Sequence, residues 1–171
     1  MPIETLRTVV ITDTSILINL FHTGHLSLLG GLSPLRFVVP DEVIAEITQA
    51  DQQQVVGSAI AASYIQRDSI STSEELTLFT GLRQVLGAGE SSCLAIAKLR
   101  NWMVACDEKR VFLREATKHL GEKRIINTPG IYVLSIRAEL ITVEDADKAK
   151  AVLENHRFRM AFQSFSDLFS S

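Results

Sequence analysis

Two acidic residues each directly follow a short apolar run, at the point where a strand of a sheet would end. Asp13 comes after residues 7–12 (RTVVIT), and Asp107 comes after residues 102–106 (WMVAC). Short apolar runs of this kind predict strands that are buried on both faces. A single acid at such a place could simply cap the following helix. Two acids at equivalent ends of two strands indicate a shared site.

Two further acids, Glu46 and Glu90, lie on or beside apolar helix faces. Glu90 precedes Leu94 by four residues and Ala97 by seven, so the three share one side of a helix. Glu46 directly precedes Ile47, on the flank of an apolar stripe. Buried carboxylates repel one another and are costly to ionise without a cation. Mg²⁺ or Mn²⁺ would offset this repulsion, because hard cations take oxygen ligands.

Other residues that could bind metal or titrate are expected to be structural. Asp41 and Glu42 follow Pro40 and look like first-turn acids that the helix dipole favours. Cys93 and Cys106 are too few and too far apart for a disulfide framework or a zinc knuckle, and we expect them to be small buried hydrophobes. The histidines lack metal-ligand spacing; they are His22, His25, His119 and His156.

Length and composition indicate a globular domain. The chain has 171 residues, of which 46% are hydrophobic and 22% charged, so we expect one domain over residues 1–171 with a real core. No apolar stretch approaches the roughly 18–20 residues that a membrane-spanning helix needs. The first residues show no signal-peptide pattern. We therefore expect a cytoplasmic protein without membrane contact.

Charge is distributed unevenly along the chain. The net charge of −3 argues against a large nonspecific nucleic-acid binder. Residues 1–66 hold two basic side chains, whereas residues 98–124 hold eight. A solvated helical face explains this basic strip at least as well as a phosphate-binding surface does. If phosphates bind there, the nearest candidates to Asp107 are Lys109, Arg110 and Arg114.

Strand and helix patterns alternate along the chain. Strands are predicted at residues 7–12, 37–39, 102–106 and 124–126, and Thr14 or Ser15 is predicted to cap the first helix. Residues 48–75 indicate a surface helix and a loop, and Thr142 is predicted to open a C-terminal helix through a capping box. This order predicts an α/β fold, a three-layer α/β/α arrangement with a central parallel sheet. Sites in such sheets form beyond the carboxyl ends of the strands.

Four segments in order, ITDTSILINL, VPDEVIAEI, LGAGESSCLAIAK and ACDEKRVFLREA, resemble the PIN-domain family. The resemblance runs from residue 9 to about residue 159. The family's acids are matched by Asp13 before a Thr-Ser pair, Glu46 six residues after a Pro, Glu90 after small residues, and Asp107. Many relatives carry an Asp where this chain has Glu108, and their following Arg-x-x-Ala matches Arg114 only loosely. The turn at residues 127–130 (NTPG) resembles a Thr-x-Gly turn of some relatives, and a helix cap with a tight turn explains it at least as well.

The resemblance implies a PIN-like fold and a nuclease that uses one or two Mg²⁺ or Mn²⁺ ions. It implies Asp13, Glu90 and Asp107 as metal ligands, with Glu46 completing the catalytic set, for example by orienting water. Bound metal would acidify a water and neutralise charge that builds on the phosphate. Ser15 and Asn19, one helical turn apart, are candidates for supporting roles in the same cleft.

The resemblance implies RNA as the substrate more often than DNA. Toxins of bacterial toxin–antitoxin pairs belong to the family, so an antitoxin partner is one option, and a homodimer is expected because relatives commonly form one. A PIN-like fold kept as an inactive binding or scaffold module is the alternative, and the four acids favour an enzyme over it. Residues 87–92 (GAGESS) do not fit a dinucleotide fingerprint, because a helical pattern precedes them and the third glycine is missing. An aspartyl phosphotransferase is disfavoured as well, because it would need a second Asp where Ser15 stands.

Overall fold

A parallel sheet forms the centre of the molecule. The computed structural model of the chain describes residues 7–107 and 110–169. Within these ranges the strands are β1 (Thr8–Thr12), β2 (Leu35–Pro40), β3 (Gln66–Asp68), β4 (Met103–Ala105) and β5 (Ile125–Ile126). They pair in the order β3-β2-β1-β4-β5, and every pairing is parallel. The prediction of a central parallel sheet is confirmed.

Helices cover both faces of the sheet and complete the predicted three-layer α/β/α fold. In the described ranges they are α1 (Thr14–Thr23), α2 (Leu28–Gly31), α3 (Asp41–Glu46), α4 (Ala50–Ala61), α5 (Ser73–Leu82), α6 (Ala88–Arg100), α7 (Arg110–Leu120), α8 (Thr128–Arg137) and α9 (Val143–Asn155), with short 3-10 helices at Glu122–Arg124 and Phe165–Leu168. Helix α6 contacts α3, α5 and α7, whereas α1 contacts α3, α4, α8 and α9. None of the described helices is both long enough and apolar enough to cross a membrane.

Strand β1 lies at the middle of the sheet and is buried on both faces. Val10 and Ile11 have no exposed surface, which agrees with the unbroken apolar run in the sequence. Thr12 pairs with Ala105 of β4, and the backbone N–H of Asp13 donates to the carbonyl of Ala105 at 2.9 Å. Because β1 and β4 are parallel neighbours, the residues that follow them lie at the same edge of the sheet.

Helix α6 packs against β1, β2 and β4 and brings its amino-terminal end towards that edge. All five residues from Cys93 to Ala97 are fully buried, so the helix is apolar around most of its circumference in this stretch. The predicted buried state of Cys93 and Cys106 is confirmed.

The predictions for residues 48–75 and for the first helix cap were partly wrong. Strand β3 was missed because its sequence, Gln-Arg-Asp, has no apolar alternation, and an edge strand needs little of it. Helix α1 begins at Thr14, with Asp13 at the N-cap position rather than Thr14 or Ser15. The capping box that opens α9 is confirmed, since the Thr142 hydroxyl accepts from the backbone N–H of Asp145.

Candidate functional site

Ser15 connects the two acids that follow neighbouring strands. Its hydroxyl donates to Oδ2 of Asp13 at 2.9 Å and accepts from the backbone N–H of Asp107 at 3.3 Å. Asp13 and Asp107 are 3% and 7% exposed, so both carboxylates are largely withdrawn from water. Although Asp13 occupies the N-cap position of α1, its side chain makes no cap hydrogen bond to the helix. Capping therefore does not explain this acid, and its carboxylate faces the region around Ser15 instead.

The carboxylate of Asp107 is held by donors from two helices. The amide Nδ2 of Asn19 on α1 donates to Oδ2 at 2.7 Å. At the start of α8, the backbone N–H of Thr128 donates to Oδ1 at 2.9 Å and its hydroxyl donates to Oδ2 at 2.7 Å. Three donors offset much of the cost of burying this charge and set the orientation of the carboxylate.

The turn before α8 has two functions. Asn127 caps α8, because its side-chain oxygen accepts from the backbone N–H of Gly130 at 2.9 Å. The next residue, Thr128, is fully buried and reaches Asp107. The sequence left a helix cap and a family-like turn as alternatives. In the structure Asn127 caps the helix, and Thr128 contacts the carboxylate of Asp107.

Glu46 lies at the end of α3 and reaches the amino-terminal end of α6. Its Oε1 accepts from the backbone N–H of Gly89 at 2.8 Å, and its Oε2 accepts from the hydroxyl of Thr14 at 2.5 Å. A Cβ on Gly89 would lie 2.6 Å from Oε2 of Glu46, so only glycine permits this approach without moving the carboxylate. Since Thr14 directly follows Asp13, this contact also places Glu46 beside the first acid.

Glu90 lies on the first turn of α6, close to Glu46. Its Oε2 accepts from the backbone N–H of Gly87 at 3.2 Å, which is a capping contact. A Cβ on Gly87 would lie 3.7 Å from Oε2 of Glu90 and 3.8 Å from Oε1 of Glu46, so the two carboxylates flank the same glycine. Glu90 thus has an observed structural role, and a role towards metal would be in addition to it.

Burial of the four acids differs from the sequence interpretation. Asp13 and Asp107 are buried, whereas Glu90 is half-buried and Glu46 is exposed. The expectation that Glu46, on the flank of an apolar stripe, would not face solvent was wrong, because α3 ends at this residue and its side chain reaches the end of a neighbouring helix. The repulsion that a cation would relieve is therefore greatest at Asp13 and Asp107.

The pKa of the buried Cys93 thiol is affected by the negative charge of the nearby acids. Burial and, next, the charge of Asp13 raise the pKa of the Cys93 thiol well above its ordinary value. Smaller contributions in the same direction come from Cys106, Glu46 and Glu42. The acid that follows β1 and two acids of α3 therefore lie close enough to this position on α6 to affect the pKa of its thiol.

Glu42 is a residue that the sequence interpretation set aside as a first-turn acid. It precedes Glu46 by four residues on α3, so the two share a helix face. Its Oε2 is buried and has no hydrogen-bond partner within residues 7–107 and 110–169. The signal that could have found it is this four-residue spacing. Asp41 fits its predicted place in the first turn of α3, and its carboxylate pairs with exposed Arg67 at 2.6 Å.

A family model described as a PIN domain matches residues 9–170. The chain belongs to the PIN-domain family. PIN domains are in general nucleases and typically use divalent metal ions, so nuclease-type chemistry is the function class that this membership carries. The chain has no match among curated proteins or among solved structures.

The donor chemistry of this PIN domain fits a hard cation. The side chains that meet at the site offer carboxylate oxygens, and the buried Oε2 of Glu42 lacks a protein partner in the described ranges. As the side chains stand, no three acidic, histidine or cysteine residues among those described are arranged so that they could hold a metal ion. Some of these side chains would therefore turn towards a cation for it to bind.

The basic residues predicted to contact substrate occupy the start of α7. Arg110 is the first residue of that helix and is exposed, and Arg114 is exposed and pairs with Glu115 at 3.3 Å. Lys109 lies outside the described residues. Arg110 follows Asp107 by three residues, so one basic residue of this PIN domain is close to the site in sequence. Its contact with substrate stays a prediction.

Proposed function

We propose that this chain is a metal-dependent endoribonuclease that hydrolyses phosphodiester bonds of RNA. The observation that carries the proposal is the position of Ser15, whose hydroxyl donates to the carboxylate of Asp13 and accepts from the backbone N–H of Asp107. Both of these acids are buried at the carboxyl edge of a PIN-domain sheet. Burying two acids side by side reduces stability unless they serve a function. A site of this kind at the end of parallel strands is where α/β proteins place their chemistry.

Each residue has a distinct role in the proposed reaction. Asp13, Glu90 and Asp107 would hold Mg²⁺ or Mn²⁺, which when bound would stabilise charge building on the phosphate and acidify a water. Glu46 would orient the attacking water, since its carboxylate is exposed beside the other acids. Ser15 and Asn19 act as positioning residues, because they hydrogen-bond to Asp13 and Asp107.

The test compares wild-type protein with Asp13→Asn in Mn²⁺ or Mg²⁺. Wild-type protein should cleave RNA and EDTA should stop it, whereas Asp13→Asn should lose nearly all activity because it removes a charge without changing size. The Ser15 hydroxyl can rotate to accept from the new amide, so the fold should persist. Asp107→Asn is less suitable, because three donors face that carboxylate and an amide NH₂ would meet at least one of them.

Asp41→Asn is the matched control, since it makes the same chemical change at an acid that pairs with Arg67. It should retain activity. Equal cleavage by wild type and Asp13→Asn would assign the activity to a contaminating nuclease. Inactivity on single-stranded and structured RNA, together with no metal binding by calorimetry, would favour the scaffold alternative. An antitoxin partner and a homodimer are narrower proposals; co-purification with a small neighbouring gene product and light scattering test them.

A further inference from the structure

A pocket of about 500 Å³ opens beside Asp107. One side is formed by Asp107 with the N-cap residue Asn127 and Pro129 in the first turn of α8, and the other side is formed by residues 157–162. This stretch, called the C-terminal wall here, follows α9 and has the sequence RFRMAF. Chain elements that are distant in sequence therefore enclose space next to one of the two buried acids.

The C-terminal wall carries two arginines whose guanidinium groups have no partner in the described part of the chain. Arg157 and Arg159 are exposed, and their side chains make no hydrogen bond or ion pair within residues 7–107 and 110–169. By contrast, Arg100 and Arg124 are each held by several acceptors. Two guanidinium groups that the fold does not use remain available for an anionic ligand.

The backbone of the C-terminal wall is fixed rather than extended freely into solvent. Arg157 has φ of 64°, a left-handed conformation that is unfavourable for a residue with a side chain. Phe158, Met160 and Phe162 alternate with the basic and small residues and are half-buried against the core. Phe162 also meets the buried ring of Phe165 edge-on, with centroids 4.9 Å apart.

A second anchor follows the wall. Asp147 on α9 accepts from the backbone N–H of Phe165 at 2.8 Å and from the hydroxyl of Ser164 at 2.7 Å. The wall is thus tied to α9 at one end and to the 3-10 helix Phe165–Leu168 at the other. A tethered wall keeps its arginines in place and reduces the entropy lost when a ligand binds.

The charges around the pocket match a phosphate backbone. A phosphate that approached Asp107 would meet a like charge, and cations on the facing wall would offset the repulsion. Arginine binds phosphate oxygens in a forked geometry, and an adjacent aromatic ring can stack on an unpaired base. Double-stranded RNA keeps its bases stacked inside the helix, so a wall with an aromatic ring between two arginines favours a single strand.

We propose that the C-terminal wall binds single-stranded RNA, with Arg157 and Arg159 on backbone phosphates and Phe158 against a base. This inference rests on the proposed ribonuclease function and names how the substrate is held at that site. This surface would be in addition to the basic residues at the start of α7, which are predicted to contact substrate.

The test measures RNA binding apart from cleavage. Fluorescence anisotropy of an unstructured labelled RNA is recorded in EDTA at several salt concentrations, for wild type and for the double variant Arg157→Ala/Arg159→Ala. The double variant should bind at least about tenfold more weakly. A plot of log K against log salt concentration should have a slope that is smaller in magnitude by about 1.4 for the double variant than for wild type. Each lost contact to a single-strand phosphate reduces the slope by about 0.7, and the double variant loses two. In Mn²⁺, its KM should rise while kcat stays close to wild type.

The matched control is Lys118→Ala/Lys123→Ala, which removes the same charge from two exposed residues. Both residues precede β5, so they lie towards the amino-terminal end of that strand, whereas the pocket lies at its carboxyl end. It should bind as wild type does. Arg157→Lys/Arg159→Lys should recover part of the affinity, since the charge is kept and the forked geometry is lost. Circular dichroism spectra that match wild type would establish that the variants fold.

The outcomes separate this inference from the proposed function. If wild type binds RNA through the wall but neither cleaves it nor binds metal, the nuclease proposal fails and the binding inference stands. If wild type cleaves RNA and the double variant binds and cleaves equally well, the inference is overturned and the nuclease proposal stands. Absence of RNA binding by wild type, preference for duplex RNA, or equal losses in the lysine control would each overturn the inference.

Discussion

Thr128 binds the carboxylate of Asp107 twice, through its backbone N–H to Oδ1 at 2.9 Å and through its hydroxyl to Oδ2 at 2.7 Å. The two residues follow β4 and β5, which are neighbouring strands of the sheet. The contact therefore fixes one acid of the candidate site to the first turn of α8. Because both residues are buried, water does not readily replace a donor that is lost.

Thr128→Val should destabilise the protein by about 2 kcal/mol, since it keeps the shape of the side chain and removes a hydrogen bond to a buried charged group. Chemical denaturation monitored by circular dichroism measures the free energy of unfolding. Thr128→Ser keeps the hydroxyl and should lose less. Equal stability of Thr128→Val and wild type would show that the hydroxyl contributes nothing to holding Asp107.

Gly89→Ala should reduce cleavage although it removes no functional group. The new Cβ would come within 2.6 Å of the Glu46 carboxylate, and this flexible side chain would move away. Alanine is the better helix former by about 1 kcal/mol, so the melting temperature should stay the same or rise. Cleavage rates and thermal unfolding of the same preparation separate displacement of Glu46 from misfolding.

Gly57→Ala is the control for this substitution. Gly57 lies inside α4, and a Cβ there would meet no atom within 4 Å. It should raise stability by about 1 kcal/mol and leave cleavage unchanged. If both alanine variants cleave at the wild-type rate, the position of Glu46 does not matter for activity.

Mn²⁺ or Mg²⁺ should raise the melting temperature of wild type. A ligand that binds only the folded state stabilises it, by about 2.7 kcal/mol at a concentration one hundred times its Kd. Asp13→Asn should show a much smaller rise, because it removes one proposed ligand. Differential scanning fluorimetry across millimolar Mn²⁺ measures both. A rise of equal size in the two proteins would place the cation elsewhere.

Stability should fall in acid in part through Glu75. A hydrogen bond from Arg100 is the main cause that holds the pKa of this buried acid below its ordinary value of 4.5. The folded state thus binds the proton less readily than the unfolded state. The contribution is complete above the unfolded pKa and is lost as pH falls through the lower folded value.

Glu75→Gln should therefore be less stable than wild type near neutral pH, and its stability should depend less on pH below about 5. Urea unfolding at a series of pH values measures this difference. Glu74→Gln is the control, since Glu74 is an exposed neighbour on the same turn of α5. A pH profile of Glu75→Gln that runs parallel to wild type would contradict the assignment.

The sequence by itself determined the type and order of those elements whose own side-chain pattern shows which residues are buried. The apolar run before Asp13 indicated a central strand, the helical spacing after Glu90 indicated α6, and a capping box at Thr142 indicated α9. These signals lie within one element, because the periodicity of side chains follows directly from strand or helix geometry. The four segments that resemble PIN domains likewise predicted the family, which the family model confirms.

Tertiary structure alone decided which side chains meet. Asn19 contacts Asp107 across 88 positions of the chain and Thr128 contacts it across 21, and no local pattern reports such distances. The polar strand β3 became part of the sheet because its backbone pairs with β2, whatever its side chains are. The C-terminal wall faces Asp107 for the same reason. Residues far apart in sequence become neighbours through the packing of whole elements, which depends on the complete core rather than on any one segment.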